Sequence, residues 1–260
     1  MPKEVSFSPP AFDPDPAPPL PAAKRRPFGV VTGRIQIWKG PIVLCKAMSV
    51  AGKNLLPVEW YGRDFSYKDG ISMSRYLKEN FPAIWGKTVI PKPAVTLEQA
   101  HRLQKDARFG LICSTWDMFN FTVAEFLAAG TPVICSEGAG ASELVRHGVN
   151  GLKCSPDDIA GLANCIGILS TMDERTYENM AKAAIETITN DLSPSAIIAR
   201  NLEYYHSVAG KSENMSANDF LRHIYEPSER QIPVAEILDT QPLEKLFKYI
   251  VKRAISRARK

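Results

Sequence analysis

The sequence predicts an α/β fold: a Rossmann-like parallel sheet with helices on both faces, followed by a helical C-terminal extension. Three observations carry that prediction. Short, almost wholly apolar runs recur, among them Phe28-Gly-Val-Val-Thr32, Phe109-Gly-Leu-Ile-Cys113 and Pro132-Val-Ile-Cys135, the pattern of strands buried on both faces. Stretches with helical spacing separate these runs, as crossovers between parallel strands require. Turn signals fall at the junctions, notably Gly33, Gly130-Thr-Pro132 and Gly138-Ala-Gly140.

The elements follow in order. Nine of the twenty prolines lie in residues 1–27, so this segment reads as an extended, interdomain-type linker, closed by Lys24-Arg25-Arg26. A globular body is expected over 28–209. Phe28–Thr32 is its first strand, and a helix follows near 40–51. Leu56–Tyr61 and Lys87–Ile90 are strands, separated by a helix over Ile71–Asn80. A helix over Thr96–Ala107 leads to the strand Phe109–Cys113. Thr122–Ala129 is helical and Pro132–Cys135 a strand. Helices then dominate, over 141–146, 156–170, 173–189 and 194–208. The tail, 210–260, carries a short helix near 216–226. Over 241–259, Leu243, Leu246, Phe247 and Ile250 recur at helical spacing among Lys245, Lys248, Lys252 and Arg253, an amphipathic basic helix.

Composition narrows the class. With 260 residues, 45% hydrophobic and 23% charged, the chain is neither disordered nor a disulfide-stapled mini-protein. No apolar stretch approaches the roughly eighteen residues that a spanning helix needs. The N-terminus lacks the shape of a secretory signal. Five widely spaced cysteines without a C-x-x-C read as reduced, buried thiols, and a cytoplasmic location is expected. The net charge of +4 is concentrated: residues 244–260 hold seven basic side chains against Glu244 alone, which leaves the rest at about −2. A nucleic-acid binder would spread a basic stripe over its body, so no nucleic-acid partner is expected.

Ligands of an open parallel sheet bind at the carboxyl ends of its strands, which selects three segments. After the first strand, Gly33 allows close approach, and Arg34 and Lys39 suit phosphate. The glycine spacing of a Walker loop or dinucleotide fingerprint is absent, and the alternative reads both cations as solvated groups beside a turn. After the fourth strand, Asp117 lies in a loop, and the amides of Asn120, Phe121 and Thr122 open a helix as an anion site. The alternative is a capping box, Thr122-x-x-Glu125, in which Glu125 only bonds the cap. After the fifth strand, Gly138 and Gly140 form either a second phosphate cradle or a turn whose glycines supply positive φ.

Together, Gly33-Arg34-x4-Lys39, Asp117-x7-Glu125, Gly130-Thr-Pro-Val133 and Gly138-x-Gly140-x-x-Glu143 resemble the donor-binding domain of group 1 (family 4) retaining glycosyltransferases of the GT-B fold. The match runs from about Val5 to Tyr205 and is densest over Asp117–Leu152. The resemblance implies that Arg34 and Lys39 neutralise the diphosphate of a nucleotide-sugar donor. It implies that Glu125 holds the ribose and Asp117 the transferred sugar, with Arg34, Lys39 and Asp117 as the catalytic set. It places amides of Phe119–Thr122 at sugar and phosphate, Thr131 near the nucleoside, and Gly33, Gly138 and Gly140 around the donor. No metal and no cofactor are implied. Asp117 stands where the family usually has Glu. Met118 and Asn120 replace common glycines, so their side chains are expected to narrow the sugar pocket or alter the loop.

A complete enzyme of this fold has an N-terminal acceptor domain. The expectation is therefore one half of a GT-B enzyme, completed in cis or in trans, that alone binds donor with little or no transfer. A non-catalytic nucleotide-sugar module that regulates or scaffolds a partner is the alternative. The helix over 241–259 suits either an anionic membrane surface or packing against protein.

Overall fold

The computed structural model describes residues 9–12, 18–51, 55–67 and 70–209. Its strands are β1 (Arg26–Thr32), β2 (Val58–Tyr61), β3 (Val89–Lys92), β4 (Ala107–Ile112), β5 (Val133–Ser136) and β6 (Gly151–Cys154). They form one sheet in the order β3-β2-β1-β4-β5-β6, and every neighbouring pair is parallel. The helices are α1 (Pro41–Val50), α2 (Met73–Asn80), α3 (Leu97–Asp106), α4 (Phe121–Ala128), α5 (Ile159–Thr171), α6 (Glu174–Thr187) and α7 (Pro194–Ala209). The chain through Tyr204 is one compact unit; Tyr205–Lys260 is a second, of which only residues up to 209 are described. The expected helices near 216–226 and over 241–259 lie outside the described residues.

The alternation of side chains along a strand explains the two cores. Val31, Phe109, Leu111 and Ile134 enter one, against Leu44, Trp60, Leu162 and Ile166. Val30, Ile112, Val133 and Cys135 enter the other, against Phe126, Leu127, Ala184 and Ile188. Because both faces are covered, the central strands read as continuous apolar runs, as the sequence suggested. Helix starts follow their side chains. Ser72, Asp158 and Asp173 cap α2, α5 and α6, and Thr96 with Gln99 forms a full capping box on α3.

Three differences from the sequence reading have physical reasons. The strand β6 is additional to the expected elements: Gly151-Leu-Lys-Cys154 is an edge strand interrupted by Lys153, without the continuous apolar run of the central strands. Gly140–Leu144 is a 3-10 turn rather than a helix over 141–146. Asn150 explains this, for its buried side chain accepts from the Arg146 amide and donates to the Leu144 carbonyl and the Thr187 hydroxyl. Those bonds gather the chain into a turn and launch β6.

The third difference concerns the start of the body. The strand β1 begins at Arg26, and Ala22 and Arg25 are already buried. The Arg25 guanidinium donates to the carbonyls of Leu20 (3.0 Å), Lys105 (2.9 Å), Ala107 (3.2 Å) and Gly130 (2.8 Å), and to the Thr131 hydroxyl (2.6 Å). It also lies 5.4 Å from the centre of the Tyr177 ring. Lys105 and Gly130 close α3 and α4, whose negative dipole ends suit a cation.

Two predictions arise here. Arg25→Ala leaves several interior carbonyls unpaired and is expected to lower unfolding stability by about 3 kcal/mol in urea titration. An unchanged midpoint would refute the role assigned to this side chain. The second concerns the thiols, all five buried and free. Burial pushes Cys45 and Cys154 up to about 12 and Cys165 up to about 11, and raises Cys113 and Cys135 as well. Unfolded thiols ionise near about pH 8.5, so above that pH the unfolded chain loses protons that the folded chain keeps, and stability falls as pH rises. A lower urea midpoint at pH 10 than at pH 7 is expected. A thiol reagent should find all five groups only in denaturant.

Candidate functional site

The sheet order reverses between β1 and β4, and this creates the site. The chain leaves β1 for α1, which packs into the first core, and leaves β4 for α4, which packs into the second. The two loops diverge, and a crevice opens at the carboxyl edge between them. It is lined by Thr32, Gly33, Lys39, Cys113, Ser114 and Asn120, among others.

The β1 loop delivers the cations. A side chain at Gly33 would meet nothing within 4 Å, so this backbone faces open space. Ile35 is buried and anchors the loop, which then makes a 3-10 turn over Ile37–Lys39. Gly40 follows with φ 75°, and an added Cβ there would lie 1.9 Å from the Cys113 carbonyl oxygen. Only glycine lets α1 start so close to the end of β4. The Thr115 amide then donates to the Trp38 carbonyl at 2.9 Å, clipping the two loops together. Lys39 is thereby carried across the crevice. Arg34 stays on the rim, exposed, with its guanidinium 5.6 Å from the Phe65 ring centre and no ion pair among the described residues.

The β4 loop supplies the carboxylate. Asp117 Oδ2 lies 2.5 Å from Lys39 Nζ, and the two side chains are 20% and 19% exposed. Asn120 Nδ2 donates to the same Asp117 oxygen at 3.1 Å, while Asn120 Oδ1 accepts from the Thr122 amide at 3.2 Å. Asn120 therefore caps α4, and the Thr122 amide that was expected to face an anion is already engaged. Phe119 and Phe121 meet edge to face at 5.5 Å beside this helix start. Met118 is 79% exposed, and of the two non-glycine residues it is Asn120 that lines the crevice.

The β5 loop docks on the β4 loop. Asp117 N donates to the Gly138 carbonyl (2.9 Å), and Gly140 N donates to the Asp117 carbonyl (3.1 Å). A Cβ would lie 2.4 Å from the Thr115 oxygen at Gly138 and 1.8 Å from the Met118 oxygen at Gly140. Neither glycine has positive φ. Close backbone approach, not a left-handed turn, requires them.

Two expectations change. The capping box at Thr122 does not form; Glu125 instead accepts from Gln104 Nε2 at 2.7 Å, and its other oxygen lies 4.0 Å from His101 Nε2. Thr131 does not face a ligand. It is fully buried before β5, at the amino edge of the sheet, bonded to Arg25 and to the Gln104 carbonyl. The structure thus gathers Gly33, Lys39, Asp117, Asn120, Gly138 and Gly140, keeps Arg34 at the rim and Glu125 on α4, and removes Thr131. Sequence reasoning missed Gln104 and His101, which share a face of α3 at i, i+3 spacing. Among the described residues, no three His, Cys, Asp or Glu side chains are grouped to hold a metal ion. None of the described helices is long and apolar enough to cross a membrane.

Fold and site define a Rossmann-like α/β domain with a crevice at the switch point of the sheet. The chain belongs to the group 1 glycosyl transferases, whose family model matches residues 26–171. It is 31% identical over 93 residues to a glycogen synthase of Mycobacterium tuberculosis, covering 35% of this chain and 22% of that one. It is 34% identical over 90 residues to a trehalose phosphorylase of Grifola frondosa, covering 35% and 12%. Among solved structures it resembles Anabaena HepE in complex with UDP-glucose (TM-score 0.57, 23% identity, 72% of this chain and 50% of that one). It also resembles the C-terminal domain of a group 1 glycosyl transferase from Francisella tularensis (TM-score 0.56, 17% identity, 64% and 87%). At these identities the structures establish the fold. The matched region spans less than a quarter of the two curated relatives.

The Lys39–Asp117 contact is testable without any ligand. A double-mutant cycle with Lys39→Met and Asp117→Asn should return a coupling energy of about 1–3 kcal/mol in unfolding stability. Additive effects would mean that the pair is not held in solution.

Proposed function

We propose that the crevice binds a nucleoside-diphosphate sugar and serves retaining, metal-independent transfer of its sugar to an acceptor held by a further domain, in cis or in trans. The single observation that carries this reading is the Lys39–Asp117 pair at the switch point of the sheet. A cation for the diphosphate and a carboxylate for sugar hydroxyls stand within one crevice, at hydrogen-bonding distance from each other. Membership of the group 1 family supports the same reading, as does the UDP-glucose held by the Anabaena neighbour.

The roles follow from chemistry. Lys39 and Arg34 offset the diphosphate charge, with Arg34 free on the rim to swing inward. As the bond from the anomeric carbon to the diphosphate breaks, negative charge grows on the leaving group, and fixed cations favour that state over the ground state. Asp117 accepts from hydroxyls of the sugar, and Glu125 from the ribose. Without an acceptor site closing over the donor, binding proceeds and transfer is slow.

Calorimetric titration with UDP, GDP and ADP, then with their sugars, tests the reading. Micromolar binding of one nucleotide is expected. Arg34→Ala and Lys39→Ala should each weaken it by about 1.5–3 kcal/mol, roughly tenfold to over a hundredfold. Variants that bind like wild type would overturn the assignment.

A further inference from the structure

We infer that Gln104 is a positioning residue for Glu125, fixing that carboxylate so that the site discriminates ribose from deoxyribose. The inference rests on the donor-binding reading above, which places a ribose at Glu125.

Gln104 is fully buried on α3. Its Nε2 donates to the Thr32 hydroxyl at 3.0 Å and to Glu125 Oε2 at 2.7 Å. One amide therefore ties the end of β1 to α4 across the switch point of the sheet. Its own carbonyl oxygen, Oε1, is buried with no hydrogen-bond partner among the described residues. A helix that served packing alone would carry leucine here, with no orphaned oxygen. The amide orientation is also dictated, because turning Oε1 toward Glu125 would set oxygen against carboxylate.

The consequence falls on Glu125. Its side chain is 19% exposed, and Gln104 occupies one oxygen. The other oxygen, 4.0 Å from His101 Nε2, is left for a ligand hydroxyl. A carboxylate held at one oxygen presents the second in a fixed direction, so less ordering is left to do on binding. The backbone of Gln104 is itself held, since its carbonyl accepts from the Thr131 hydroxyl at 2.8 Å.

The test compares UDP, GDP and ADP with their 2′-deoxy counterparts by calorimetry, on wild type, Glu125→Ala, Gln104→Met and Gln104→Asn. Wild type should prefer one ribonucleotide over its deoxy form by about tenfold or more. Glu125→Ala should abolish the preference. Gln104→Met keeps the bulk without the donor and should shrink the ratio severalfold. Gln104→Asn, the milder change if the methionine variant fails to fold, cannot reach both partners and should do the same. A purely structural role would weaken both nucleotides equally and leave the ratio intact, which would overturn the inference. Loss of the preference in Glu125→Ala with full preference in both Gln104 variants would overturn it while sparing the donor-binding reading. Failure of every nucleotide to bind wild type would remove that reading and the inference with it.

Discussion

The buried guanidinium of Arg25 ties together the elements that meet at the amino edge of the sheet. It stands just before β1 and bonds the carbonyls that close α3 and α4, the first carbonyl of β4, and the Thr131 hydroxyl ahead of β5. Among the described residues no carboxylate is a hydrogen-bond acceptor for it; backbone dipoles and the Tyr177 face lie around the charge. Burial lowers the pKa of this arginine, but a guanidinium starts so high that it keeps its proton. A lysine could not replace it, because one ammonium cannot reach several acceptors spread over that arc. The amino edge of the sheet is therefore cross-linked, and strands of four to seven residues join it to the carboxyl edge.

One line of transmission can be followed atom by atom. Arg25 bonds Thr131, Thr131 bonds the Gln104 carbonyl, and the Gln104 amide bonds Thr32 and Glu125. Thr131 thus belongs to the site through the helix it holds and not through contact with a ligand. The carboxyl edge has its own constraint, the close docking of three loops. Gly40, Gly138 and Gly140 each place backbone where a Cβ would overlap a carbonyl of a neighbouring loop. The result is that Lys39 and Asp117, seventy-eight positions apart in sequence, are delivered to one point.

Much of this was legible in the sequence because the central strands announce themselves. Runs such as Leu111-Ile-Cys113 and Val133-Ile-Cys135 are apolar on both sides for a reason that the sheet makes plain. The placement of Gly33, Lys39 and Asp117 at the carboxyl edge of the sheet followed from strand–helix order alone. What was not legible depends on tertiary partners. Thr131 was misplaced because it adjoins the site-bearing block in sequence, yet residues before and after a strand lie at opposite edges of a sheet. The roles of Gln104 and Arg25 leave no local trace, since a polar side chain reads as solvated until its neighbours are known. Asn120 stands in the sequence only as a replacement for a common glycine; its service as a helix cap with extended backbone leaves no local signal.

That cap bears on how the charges of the crevice are balanced. Lys39 is four-fifths withdrawn from solvent, and such a cation beside a helix start, where amides already carry positive charge, would be unfavourable alone. Asp117 neutralises it, and Asn120 steadies Asp117 while satisfying the Thr122 amide. The three side chains form a closed, charge-balanced set that needs nothing from outside. A diphosphate entering the crevice would offer Lys39 a larger negative charge than one carboxylate does. Asp117 would then be released to accept hydroxyls, and Asn120 would be free to leave the Thr122 amide. On the donor-binding reading, the same pair would therefore favour ligands that bring an anion and hydroxyls together. A bare anion would strand the Asp117 carboxylate, and a neutral sugar would leave the Lys39 pair unbroken.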